Sequence, residues 1–102
     1  MEKLMMLKAI SEKKSREITR QDGSKKNIYW HEVILTDGLD TMICETSESV
    51  TEKICSEDPN VKLEMNVGTL YNCRITANVI SYEKNGQKSY FNKLSLSVIV
   101  PV

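Results

Sequence analysis

Residues 71–98 read YNCRITANVISYEKNGQKSYFNKLSLSV. Tyr71, Cys73, Ile75, Ala77 and Val79 alternate with Asn72, Arg74, Thr76 and Asn78, a period of two that sets the two groups on opposite faces of a strand. Asn85-Gly86 follows, and Asn-Gly is the strongest short signal for a two-residue hairpin turn, because both turn positions need positive φ. The returning stretch, Ser89 to Val100, puts Leu94, Leu96 and Val98 on one face and Lys93, Ser95 and Ser97 on the other. The last third of the chain is thus expected to form one long hairpin with an apolar face that needs a core.

The strands that would supply this core lie upstream. Residues 28–36, Ile-Tyr-Trp-His-Glu-Val-Ile-Leu-Thr, are rich in β-branched and aromatic types and read as one strand. With Val33 and Leu35 in the core, parity turns Tyr29 and His31 inward and Trp30 and Glu32 outward. Residues 3–14 read as a first strand, and residues 15–27, with Gln21-Asp22-Gly23-Ser24 flanked by Lys and Arg, as a long hairpin tip. Asp37-Gly38-Leu39-Asp40 turns the chain into a third strand, Thr41 to Glu45. Ser49-Val50-Thr51-Glu52 fits a capping box, with Ser47 as the alternative cap, and Val50 and Ile54 share one helical face. A short helix ending near Cys55 and an acidic connector over 56–67 then lead to Gly68. Strand, long hairpin, two strands, helix and closing hairpin give an all-β chain with one short helix, a five-stranded OB-fold barrel in a single domain over 1–102.

Composition narrows the function classes. The chain has 102 residues, enough for one domain, and 40 % hydrophobic with 27 % charged side chains excludes a disordered chain. The longest apolar runs are a few residues, so no membrane segment is expected. The start, Met1-Glu2-Lys3, has no signal-peptide pattern, which makes the expected location cytoplasmic. Cys44, Cys55 and Cys73 form no C-x-x-C pair and His31 is the single histidine, so neither a zinc site nor a disulfide scaffold is expected. There is no phosphate loop, no Ser/His/Asp order and no calcium-loop spacing. No catalytic residue and no cofactor is expected; the reading is a non-enzyme.

The net charge of zero hides a segregated pattern. Residues 1–26 carry eight Lys/Arg against four acids, residues 27–70 two against nine, and residues 71–102 four against one. In this fold a ligand crosses the second and third barrel strands, gripped by the loops joining strands one to two and four to five. Those loops are the basic ones: Lys13, Lys14, Arg16, Arg20, Lys25 and Lys26 in the first, Lys84 and Lys88 in the second. Arg74 and Lys93 add positive charge on the closing strands. Cations along a track beside aromatic planes are what an unstacked single strand needs. Trp30 and Phe91 are the two rings that parity turns away from the core, and each either stacks on a base or fills a subunit contact.

Tyr29-Trp30-His31-Glu32-Val33-Ile34-Leu35, the basic hairpin before it, and Gly68-x-Leu70-Tyr71 with its hairpin resemble bacterial single-stranded DNA-binding proteins over about residues 20–36 and 68–99. The resemblance implies that Trp30 stacks on a DNA base and that His31 lies on the side used for subunit contacts. Two departures stand out. Residues 37–67 are longer and more acidic than that family's middle segment, and Val98-Ile99-Val100-Pro101-Val102 ends the chain without an acidic tail. Such a chain looks like a reduced relative of phage or mobile-element type.

The expected function is sequence-tolerant binding of single-stranded DNA, coating or protecting it, by a homo-oligomer (dimer or tetramer). Two alternatives use the same residues: a protein-interaction or assembly barrel with Trp30 and Phe91 as anchors, and an RNA-binding barrel.

Overall fold

A computed structural model describes residues 2–102, without the side chains of Tyr82 and Phe91. Seven strands and one helix follow one another: β1 (Glu2–Ile10), β2 (Lys14–Thr19), β3 (Lys25–Trp30), β4 (Glu32–Thr36), β5 (Thr41–Thr46), α1 (Glu48–Cys55), β6 (Leu70–Lys84) and β7 (Gln87–Pro101). Five strands close a barrel in the order β1-β4-β5-β7-β6, while β2 and β3 form a separate two-stranded sheet. All barrel pairs are antiparallel except β5 with β7, which run parallel. This is the expected five-stranded OB-type barrel, with α1 between the third and fourth barrel strands and the β2–β3 hairpin inserted between the first and second.

The alternating residues fill it. Met5 and Leu7 from β1, Val33 and Leu35 from β4, Cys44 from β5, Tyr71, Cys73 and Ile75 from β6 and Leu96 and Ile99 from β7 are all buried. Burying side chains of this size stabilises by about 1.5–3 kcal/mol each. Two bulges reset the alternation. In β1 the register slips between Leu7 and Ala9, so Lys8 is exposed while Ala9 and Ile10 pair on. In the closing pair, Arg74 faces Val98 but Ile75 faces Leu96, which leaves Ser97 as the extra residue. Leu94 and Leu96 therefore point to the core as expected, but Val98 does not: it is exposed, and Ile99 takes the inward place. An extra residue shifts a period of two by one, and that reverses every face beyond it.

Residues 28–36 are not one strand. The ladder breaks at His31, whose N–H donates to Thr46 Oγ1 (2.8 Å) and whose carbonyl accepts from Thr46 N (2.9 Å). Ser11 closes the neck of the hairpin on the other side: its N–H donates to Glu32 O and its Oγ accepts from Glu32 N, both at 2.8 Å. The alternation runs through this junction, but what lies against each face changes. From His31 onward the odd-numbered side chains face the barrel. Before it the chain has left the barrel, so Tyr29 is 47 % exposed instead of inward, and Lys26, Ile28 and Trp30 are the half-buried set, on a strand that packs beside α1.

The helix begins at Ser47, whose Oγ accepts from Val50 N at 3.3 Å, so the cap is Ser47 and not Ser49. Val50 enters the core and Ile54 packs against it. The connector that follows is pinned to the barrel. Leu63 N donates to Lys53 O (2.9 Å), and the buried Tyr71 hydroxyl accepts from Asn66 N (2.8 Å) and donates to Glu64 O (3.1 Å). Both hairpins project: β6 and β7 continue past the core to an Asn85-Gly86 turn with φ of 54° and 76°, leaving Val79 69 % and Tyr90 65 % exposed. The molecule measures 45 × 35 × 21 Å.

Candidate nucleic-acid interface

Where the β2–β3 hairpin leaves the barrel it leans over α1, and a cleft of about 400 Å³ opens between them. One wall is the hairpin, with Lys13, Lys26, Asn27, Ile28, Tyr29 and Trp30. The floor is the parallel β5–β7 contact, with Glu45, Thr46, Lys93 and Ser95, and the other wall is α1, with Glu48, Thr51, Glu52 and Cys55. Thr46 and Thr51 share a buried hydroxyl–hydroxyl bond of 2.7 Å, and Thr51 also donates to Ser47 O (2.8 Å), which ties the helix to the floor. The cleft thus joins the root of the first hairpin to β7, one leg of the closing hairpin.

Two aromatic rings stand in it. Trp30 is half-buried, and its Nε1–H is buried with no acceptor among the described residues, an arrangement that costs about 1–3 kcal/mol. Tyr29 is the ring that parity misassigned, and it lies open with the Lys13 ammonium 5.0 Å from its centroid. Tyr90, on the projecting part of the closing hairpin, is the second exposed aromatic missed by the sequence reading. It pairs with Ser81 on the face that Val79 also shares, and the exposure of both follows only from where the core ends. The side chain of Phe91 lies outside the described residues.

Of the expected cations, Lys13 stands over the Tyr29 ring and the other nine divide into three groups. Lys14 pairs with Glu32 (2.8 Å), Lys25 with Glu17 (3.5 Å), Lys26 with Glu48 (3.9 Å) and Lys93 with Glu45 (2.8 Å). Arg16, Arg20, Lys84 and Lys88, on the projecting hairpins, have no ion pair among the described residues. Arg74 is on another face, where its guanidinium binds Glu2 beside Leu4, Val98 and Val100. That guanidinium holds the Glu2 carboxyl below its usual range. The cleft itself is balanced in charge: Lys13, Lys26 and Lys93 stand against Glu45, Glu48 and Glu52.

His31, 9 % exposed, is held within the chain. Its Nδ1 lies 3.0 Å from the Ser11 carbonyl, which can only accept, so Nδ1 carries the proton. Nε2 then faces Cys55 Sγ at 3.9 Å. Cys44 and Cys73 are buried, and burial pushes both thiols up to about 11. Among the described residues no helix is long and apolar enough to cross a membrane. No protein-family model, curated protein or solved structure matches this chain.

Proposed function

We propose that this protein binds single-stranded DNA with little sequence preference, by contact alone and without catalysis, as a homo-oligomer. The observation that carries the reading is the shared cleft: Trp30 at the root of one basic hairpin and Lys93 on a leg of the other line the same space. A strand crossing there would meet aromatic rings at the centre, with Arg16, Arg20, Lys84 and Lys88, which have no ion pair among the described residues, on the hairpins that rise from either side. The resemblance of residues 29–35 to bacterial single-stranded DNA-binding proteins supports the same reading.

Trp30 is the chain's single tryptophan, so its fluorescence reports on this site alone. Titration with oligo-dT, duplex DNA and oligo-rU at two salt concentrations is the test. Oligo-dT is expected to quench the emission, less so at the higher salt, with duplex far weaker. In Trp30→Ala, followed by anisotropy of a labelled oligonucleotide, loss of one stacking ring is expected to weaken binding by about 1–3 kcal/mol. Oligo-rU as the stronger ligand would make this an RNA-binding barrel. Silence with every nucleic acid would leave the protein-interaction reading in its place.

A further inference from the structure

The cleft beside Trp30 is unlike the hairpins above it. Its three lysines are matched by three glutamates, so it offers a phosphate no net attraction. Its aromatic and aliphatic side chains, Ile28, Tyr29 and Trp30, suit a flat, uncharged ring, and its volume falls within the range of small-ligand pockets. On the single-strand reading, the phosphates would fall to the hairpin cations and a base to the cleft. Of the three carboxylates that line the cleft, one is left without a cation among the described residues. Glu45 is bonded to Lys93 and Glu48 lies within 3.9 Å of Lys26, whereas Glu52, on the open face of α1, has no ion pair among the described residues. It presents two acceptor oxygens and no donor.

We propose that this cleft takes one unstacked guanine of the bound strand, with Glu52 accepting from the Watson–Crick edge. The proposal rests on the single-strand reading above and adds a base preference at one position of an otherwise tolerant track. Guanine alone carries two adjacent N–H donors on that edge, N1–H and the N2 amino group, matching the two oxygens of a carboxylate. Adenine and cytosine set a ring-nitrogen acceptor beside their amino group. Thymine sets its one N–H between two carbonyls. Each of the three would turn a lone pair toward Glu52, setting acceptor against acceptor with no proton to share. The Trp30 and Tyr29 rings supply stacking that all four bases share, so stacking does not choose between them.

The test measures competition by unlabelled 15-mers against a labelled oligo-dT, using all-thymine strands and strands with one central guanine, hypoxanthine, adenine or cytosine. One bidentate contact corresponds to about a tenfold gain for the guanine strand. Hypoxanthine, which lacks the N2 amino group, should lose most of it. In Glu52→Gln the ratio of guanine-strand to thymine-strand affinity should fall to near one, and a ratio is insensitive to any general change in binding. Equal affinity for all five strands would overturn the guanine site while leaving single-strand binding intact. So would a guanine preference that survives Glu52→Gln. Absence of binding by every strand at low salt would overturn the single-strand reading and the guanine site together.

Discussion

Three thiols in one small barrel are set apart by their surroundings. Cys44 and Cys73 sit in the core, 1 % and 2 % exposed, where loss of hydration disfavours the thiolate and moves both from 9.0 to about 11. Cys55 is exposed at the end of α1, beside His31 Nε2. A disulfide reagent at neutral pH is expected to titrate one thiol in the native protein and three in denaturant; rapid reaction of all three in the native state would contradict the buried positions. The pH dependence has a definite sign. Both buried groups have raised values in the folded state, so their contribution to stability is intact below about pH 9 and is lost as pH rises toward 11, because the unfolded thiols ionise first. Denaturant midpoints measured between pH 7 and 11 should fall over that upper range, and should fall less in Cys44→Ala. At this scale the sequence was half legible. Tyr71, Cys73, Val33 and Leu35 are core residues in both readings, since alternation is a local property. Tyr29 is not, because its exposure depends on where the barrel ends, and nothing in the residues around it marks that rim.

The hairpins are the elements on which binding is expected to turn. Arg16 and Arg20 carry charge with no carboxylate beside it among the described residues, whereas Lys25 and Lys26 stand next to Glu17 and Glu48. Single-strand affinity should fall with salt by a slope near −0.7 for each phosphate neutralised. Arg16→Glu with Arg20→Glu is expected to flatten that slope and to weaken all sequences alike, since phosphate contacts carry no sequence information. Reversal at Lys53 and Lys62, in the acidic segment, should change little, and equal losses from both pairs would remove the hairpin from the binding track. Turn chemistry made these elements readable: Asn85-Gly86 and Gly23 sit where the chain must take positive φ, and both turns occur as expected. The bulge at Ser97 was invisible, because alternation runs unbroken through Leu94, Leu96 and Val98. Only pairing with Arg74 and Ile75 on the neighbouring strand reveals the slip, and that is a relation between strands rather than a property of one.

The order of elements gave the topology of the whole molecule, but not its outer surface. Leu4 and Val100 (each 50 % exposed) flank Asn72 across β1, β6 and β7, and Leu70 (47 %) lies next along β6. Val98 joins this face only because of the bulge. The Arg74–Glu2 pair borders it. An assembly of two or more copies is expected to cover this apolar row. Light scattering at micromolar concentration should give at least twice 11.7 kDa for the protein, and Leu4→Lys with Val100→Lys should return it to the single-chain mass. A single-chain mass for the unaltered protein would rule the assembly out.

The parallel contact between β5 and β7 has a consequence for how the barrel comes together and apart. It is registered at two positions only, Glu45 with Ser95 and Thr46 with Leu96, whereas β6 and β7 are zipped along their whole length from a local turn. It has the fewest registered pairs of any seam in the barrel among the described residues and joins segments some fifty residues apart. Little backbone pairing thus offsets its loop entropy, and it should close late during folding. It should also be the first to breathe in the native state, with amide protons near Thr46 and Leu96 exchanging with solvent sooner than those of the β6–β7 ladder. Thr46 lines the cleft, so a ligand lodged there would bridge the seam and slow that exchange. The barrel's weakest joint would then double as its sensor of occupancy.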